Sequence, residues 1–470
     1  MEIEEIIEKI RKFAIEKKLT VYLVGGYLRD KFLRRKSKDV DIVMEFDALK
    51  FAKEFSEKYG FPEPVFYGRF GTAMVEVDGI KIEFATCRKE SYPEDSRKPE
   101  VFPATIYEDL KRRDFTINAI AKNLITGEII DPFDGKKDLK RKIIRTPIDP
   151  DKTFYDDPLR ILRGIRFAAR FKFKIEERTK EGMKKNVFRL KIVSIERISE
   201  EIMKMLEATQ PSIAFYLLEE IGALQLILPE VSALKDKDNL IDIKPEERQW
   251  KELFTHTMKT LDNISKHTKN VYLRLAALLH DIGKPKTLRI EKGKVSFHGH
   301  EFVGERMADS ICKRLKIGEK ETEFIKKMIR YHLRPHLLAK ENPTDRGIRR
   351  FIKEVGKDMK SLFILARADL TSQNPQRVRE ALERLDNLEK RIKEVNKRDK
   401  ISSFKLAIDG FDIMEILDLK PGKIVGQVKK YLENMVLEGN LPNKKRKLKK
   451  FLKENKEEIL QKAYEMVSYT

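Results

Sequence analysis

The chain has only two cysteines, Cys87 and Cys312, in 470 residues. Two thiols cannot build a disulfide framework, so a reducing compartment, the cytoplasm, is expected. No apolar run approaches the ~20 residues that a membrane helix needs, so no membrane is expected among its partners. The start MEIEEIIEKIRKF lacks the layout of a secretion signal. Internal repeats are absent, and Gln is scarce while Lys and Glu abound, a leaning shared with heat-adapted proteins.

Hydrophobic residues make up 41% of the chain, enough to fold, and its length exceeds what one core supports. The net charge of +22 points to a polyanionic partner such as nucleic acid. Whether copies of the chain associate is left open by the sequence.

Residues 2–18 have the spacing of an amphipathic helix. Short β-rich runs follow at Val21–Val24, Val40–Met44, Ala73–Val77 and Lys81–Ala85, with a helix expected at Ala48–Tyr59 and stopped by Gly60. Beyond Pro158 the pattern is helical, apart from a hairpin expected near Thr287–Phe297. Lightly apolar stretches at Lys235–Arg248, ahead of Trp250, and at 392–403 read as linkers. The fold class expected is α+β, a small mixed head followed by helical regions.

Asp39 and Asp41 lie two apart in Lys38-Asp39-Val40-Asp41, so on a strand both project from one face. Like charges that close repel unless cations sit between them. Two Mg²⁺ ions, roughly 3.5–4 Å apart, would activate an attacking hydroxyl and stabilise a leaving pyrophosphate. Upstream, Gly25-Gly26 lets backbone approach a phosphate chain, and Arg29 adds charge. Glu83, in the alternating run Ile80–Ala85, is the candidate third acid on a neighbouring strand. In Asp109-Leu110-Lys111-Arg112-Arg113-Asp114, Arg112 and Arg113 are placed to grip triphosphate oxygens, and Asn118 to bond ribose or position the acids.

Asp157, Arg160, Arg163 and Arg166 recur every three residues, behind Pro158 at an expected helix start. An Asp beside an Arg imitates a base edge. Cytosine and adenine both show an amino donor next to a ring-nitrogen acceptor, which carboxylate and guanidinium match. Guanine and uracil would leave groups unpaired at ~1–3 kcal/mol each.

All seven histidines lie between positions 256 and 336. His280-Asp281 follows the apolar run Leu273–Leu279, with His256 a helix earlier and Asp369 further on. Imidazole and carboxylate in this order can bind a divalent transition metal, and His298, His300 and His332 are candidates for a second ion. His267 and His336 read as surface residues, and so does His298 when taken by itself.

Taken together, GG-x-x-RD, DxD, Glu83-x-Ala-Thr-x-Arg88, DLKRRDFTINAIA, IIDPFDGKKDL, DDPLRILRGIRFAARF and Glu196-Arg197 resemble the class II tRNA nucleotidyltransferases and bacterial poly(A) polymerases over roughly residues 20–230. The resemblance implies Mg²⁺ on Asp39 and Asp41, and base selection by Asp157 and Arg160. It implies CTP, ATP and the tRNA 3′ end as partners. Residues 88–99 are similar to the family's flexible loop, tied to switching from C to A addition; their length favours complete CCA synthesis. Addition of CC alone, of A alone, or of a poly(A) tail stays open. Residues 250–375 resemble the HD phosphohydrolase superfamily, with His256, His280, Asp281 and Asp369 at its ligand positions. In this reading residues 1–145 are the catalytic head and 146–235 a helical neck and body. Residues 236–395 are the HD domain, and 396–470 a basic helical tail. An HD phosphohydrolase whose first domain only docks RNA is the alternative of another class.

Overall fold

The structure is a computed structural model that describes residues 2–37, 39–68, 71–91, 100–235, 253–291, 294–341, 343–399 and 404–468. It divides into two compact units: residues 1–254 with 310–318, and residues 255–309 with 319–470. The class is α+β, as expected. Most of the loop at 88–99, the linker with Trp250, residues 400–403 and the Lys292-Gly293 turn lie outside the described residues.

In the first unit, helix α1 (Ile3–Glu16) buries Ile6, Ile10 and Phe13 and is followed by strand β1 (Val21–Val24) and helix α2 (Gly25–Phe32). Strand β2 (Asp39–Met44) leads to helix α3 (Ala48–Tyr59). The Asp47 carboxylate caps the start of α3, and Gly60 ends it in the left-handed region. Strands β3 (Val65–Tyr67), β4 (Thr72–Val77) and β5 (Ile80–Thr86) follow. Next come the hairpin of β6 (Arg88–Ser91) with β7 (Glu100–Pro103), and helix α4 (Ile106–Lys111).

With β8 (Ala121–Asn123) and β9 (Ile129–Ile130), the strands form one seven-stranded sheet in the order β3-β4-β5-β2-β1-β8-β9. Strands β2 and β5 are parallel and every other neighbouring pair is antiparallel. Phe13, Phe51, Phe55 and Phe84 pack under the sheet with ring centroids 5.0–6.4 Å apart.

Helix α5 (Gly135–Arg141) and the short strand β10 (Ile143–Ile144) lead to the helical part. Helix α6 (Pro150–Asp156) ends at Asp157, and helix α7 (Leu159–Phe171) starts behind Pro158. Strand β11 (Lys174–Ile175) pairs with β10, followed by helices α8 (Glu177–Asn186) and α9 (Ile195–Leu206).

The second unit is helical apart from the expected hairpin, Arg289–Glu291 with Lys294–Ser296. Its last helices bury Ile413, Leu417, Val428, Leu432, Leu448 and Leu452 in a core of their own. In the basic tail run, Lys445 and Lys449 bind Asp412 at 3.0 and 2.6 Å.

Candidate functional site

Asp41 and Glu83 are direct partners in the parallel register of β2 and β5, so both carboxylates project from one sheet face. Both line a cavity of about 1020 Å³ in the first unit. Asp39 pairs with Lys81 at the exposed start of β2 and does not line that cavity. Burial pushes the Asp41 carboxyl up, and Asp39 adds to this, while Arg113 and the Gly26 N–H pull it back. Burial and then the Asp41 charge push Glu83 up as well. Clustered acids pushed up by desolvation and by a neighbouring carboxylate form a site that wants cations.

Gly25 explains the approach of α2. Its φ is +68°, and a Cβ there would lie 2.4 Å from Asp41 Oδ2. Without that side chain, the Gly26 N–H donates to Asp41 Oδ2 at 3.3 Å.

The cavity walls carry seven arginines, five of them tied to buried acids or amides. Arg112 donates to Asp109 Oδ1 at 2.6 Å and to Glu90 at 3.1 Å, and Arg113 to Asp109 Oδ2 at 2.9 Å. Burial opposes ionisation of Asp109, but these two guanidiniums hold it below the usual carboxylate range. Arg88 also donates to Glu90. Arg163 binds Asp114 at 2.7 Å, and Asn118 links Asp114 Oδ1 to Arg29 through its own amide. Asp114 is held at about 2, burial opposing and Arg163 and Asn118 prevailing. Arg112, Arg113 and Asn118 therefore face the cavity as a braced scaffold rather than as free ligands.

Asp157 and Arg160 both line the cavity, Asp157 in the break between α6 and α7 and Arg160 on the first turn of α7. Arg160 lies 4.0 Å from Glu90 Oε2. Arg166 does not reach the cavity: it is buried, bonds Glu201 at 2.5 Å and packs 4.2 Å from the Phe167 ring centroid. The three-residue row drifts around the helix, which carries its last member to the side of α7 turned away from the cavity, onto Glu201 of α9. Sequence reasoning missed Asp109, Asp114 and Glu90 as organising acids. The density of arginine in 112–113 and 160–166 is the signal, because buried guanidiniums need partners. It also missed Ser194, and it named Arg197 only within a motif without a site role; both line the cavity from the start of α9.

In the second unit, the expected set of His256, His280, Asp281 and Asp369 divides, Asp281 joining the second-ion candidates His300 and His332, which gives two adjacent triads. His256, His280 and Asp369 form one, and Asp281, His300 and His332 the other, with ligand atoms within 4.8 Å in each. His298 is exposed and outside both; His267 is exposed, and His336 is half-buried rather than a surface residue. Gly283 brings the parts together, since a Cβ there would lie 2.1 Å from the His300 carbonyl oxygen. The Nδ1–H groups of His280, His300 and His332 donate to the carbonyls of Ala277, Phe297 and Ile329 at 2.7–2.8 Å. In the neutral ring, the form that binds a metal, Nε2 carries the lone pair, and these atoms converge: His300 and His332 meet at 3.3 Å, His256 and His280 at 3.2 Å. Asp281 Oδ1 is buried between them without a hydrogen bond. Burial opposes a charge on His280, yet Asp281 and Asp369 raise it to about 10. Burial lowers His300 and pushes His332 down to about 3, so only His280 is drawn toward the charged form, at the point where two carboxylates would otherwise face a cation.

Known families follow the same order along the chain. Residues 21–145 match the poly A polymerase head domain, 172–235 the probable RNA and SrmB-binding site of polymerase A, and 253–374 the HD domain. Fold and site thus define a nucleotidyltransferase head joined to an HD domain. The chain is similar to the A-adding tRNA nucleotidyltransferase of Aquifex aeolicus (strain VF5), 44% identical over 36% of this chain and 20% of that protein. It is similar to the multifunctional CCA protein of Laribacter hongkongensis (strain HLHK9), 34% identical over 69% of this chain and 77% of that one. At 39–44% identity, the matches span 20% to 55% of the relatives' own length. Bacillus stearothermophilus CCA-adding enzyme in complex with CTP shares the fold, with a TM-score of 0.64 at 23% identity, over 97% of this chain and 98% of that one. The chain belongs to the family of CCA-adding tRNA nucleotidyltransferases.

Proposed function

We propose that the chain extends the 3′ end of tRNA with CCA from CTP and ATP, without a nucleic-acid template. The observation that carries this is the Asp41–Glu83 face, set against a cavity whose helical wall presents Asp157 and Arg160. Asp39, Asp41 and Glu83 would hold two Mg²⁺ ions, which when bound lower the pKa of the attacking hydroxyl and neutralise the departing pyrophosphate. Arg29, Arg112, Arg113 and Arg163 set a positive field for the triphosphate, and Gly25 and Gly26 let the chain approach it. The 3′-oxygen forms a bond to the α-phosphorus as the bond from that phosphorus to the β-phosphate oxygen breaks. Asp157 accepts from the exocyclic amine of C or A, and Arg160 donates to its ring nitrogen. A cytoplasmic location fits, since no described helix is long and apolar enough to cross a membrane. The division at 145, 235 and 395 serves this reading: head, neck and body, HD domain, tail.

Incubating tRNA that lacks its CCA end with each nucleotide alone and with CTP plus ATP, then sequencing the products, tests it. Two Cs and one A support it. CC alone or a single A indicates a split-task enzyme, and a long A tail a poly(A) polymerase.

The two triads favour a second activity, metal-dependent phosphoester hydrolysis, at the HD site. The bound ions would supply a metal-activated water, and His256, His280, Asp281, His300, His332 and Asp369 would hold them. Release of phosphate from model esters with added Mn²⁺ or Ni²⁺, lost in His280→Ala, is the test.

A further inference from the structure

A basic face lies beyond the cavity, where the far ends of α2 and α7 meet α5. Helix α5 and its cap expose Lys136, Lys137, Lys140, Arg141 and Lys142. Lys136 Nζ lies 5.6 Å from the ring centroid of the exposed Phe32 at the end of α2. Arg35, just past α2, lies 5.3 Å from the Phe171 ring that closes α7. The Lys174 N–H donates to the Lys142 carbonyl at 2.9 Å, which joins the end of α7 to the end of α5. These contacts make the exposed cations of three helices one continuous surface.

Local stability does not account for this charge. Cations at a helix C-terminus complement the helix dipole, which covers Lys140, Arg141 and Lys142. Lys136 and Lys137 sit in the first turn of α5, where that dipole disfavours them. Arg34, Lys142 and Lys172 hold left-handed positions, with φ of 55°, 60° and 57°, where glycine is favoured and a long side chain adds strain. Nearby acids do not neutralise the face. Asp138 is buried on Thr116 and Arg145, and Asp131 accepts from the backbone of Gly135 and Lys136, which leaves Asp134 exposed. None of Lys136, Lys137, Lys140, Arg141 or Lys142 makes an ion pair among the described residues.

We propose that this face binds the sugar-phosphate backbone of the substrate RNA, away from its reacting 3′ end. The inference rests on the transferase reading of the cavity. Helix α7 presents Arg160 to the cavity near its start and ends at Phe171. At 1.5 Å rise per residue the two are roughly 16 Å apart. A duplex stem leading to the 3′ end passes within that distance, whereas a short single strand filling the cavity does not reach it.

The test uses the full chain carrying Lys136→Glu and Lys137→Glu, and a second variant carrying Lys140→Gln and Arg141→Gln. Acids in the first turn of α5 suit its dipole, so the first variant is expected to keep its Tm. Equilibrium binding of tRNA is measured from low to moderate salt, together with binding of a short oligonucleotide of the same 3′ sequence. Expected for the first variant is weaker tRNA binding, with the slope of log affinity against log salt reduced by roughly two, and unchanged oligonucleotide binding. The second variant is expected to weaken tRNA binding in the same sense, and kcat at saturating tRNA to be unchanged in both. Unchanged tRNA affinity and slope overturn the proposal. So does equal loss with tRNA and oligonucleotide, or loss of binding to acidic lipid vesicles with tRNA binding intact. Failure of the wild type to transfer nucleotides counts against the reading of the cavity, whereas the binding slopes judge this face by themselves.

Discussion

Asp41 and Glu83 stand side by side on adjacent parallel strands, two acids on one sheet face, with the Asp41 charge adding to the desolvation that raises the Glu83 pKa. An acid whose folded pKa lies above its unfolded value destabilises the fold when ionised. Glu83→Gln is therefore expected to raise Tm in the absence of Mg²⁺ while lowering nucleotide transfer by at least ~10–100-fold. Melting curves with and without Mg²⁺, beside an incorporation assay, check both signs; a lower Tm without Mg²⁺ contradicts the electrostatic account.

Arg160 faces the cavity with Glu90 as its nearest acid at 4.0 Å, which leaves its donors available to a base. Arg160→Ala is expected to narrow the preference for CTP and ATP over GTP and UTP by ~1–3 kcal/mol, about 5- to 150-fold. Comparing kcat/KM for the four nucleotides checks this. Uniform loss across all four would assign Arg160 to phosphate binding instead.

Asp114, held at about 2 by Arg163 and Asn118 against burial, is depressed from an ordinary value of 3.8. Its contribution to stability is present in full above pH ~4 and is lost as pH falls toward 2. Asp114→Asn is expected to be less stable than the wild type at neutral pH, with the gap closing between pH 4 and 2. Urea denaturation across that range is the measurement.

At the HD site, lone pairs on His300 and His332 converge on a buried Asp281 oxygen that has no hydrogen-bond donor. Chelation is expected to lower Tm, and a divalent transition metal at about 100 times its Kd to restore ~2.7 kcal/mol. Elemental analysis should give one fewer bound ion in a His300→Ala, His332→Ala variant than in the wild type. Equal metal content in the two proteins would reduce the site to one ion.

The strands were legible because alternating Val, Ile and Phe segments are bounded by glycine and charge. Ala48–Tyr59 was legible because Gly60 marks its end, while the Asp47 cap at its start emerged only in the structure. Asp41, Glu83, Asp157 and Arg160 were legible as chemistry, and the structure sets them around one cavity. Register was not legible: that Asp41 faces Glu83 follows from β2 pairing in parallel with β5, a long-range contact that no local pattern encodes. The destination of Arg166 was hidden for the same reason, since Glu201 lies a helix-turn-helix away. Histidine clustering announced a metal site. Its division into two triads depends on Gly283 letting His300 approach, which spacing alone does not specify.

Incorporation of labelled CTP into tRNA lacking its CCA end, by a folded Asp39→Ala, Asp41→Ala variant, tests the central claim most directly. Loss of incorporation to background, with Tm at or above that of the wild type, is the predicted result. Retained CTP incorporation would contradict it.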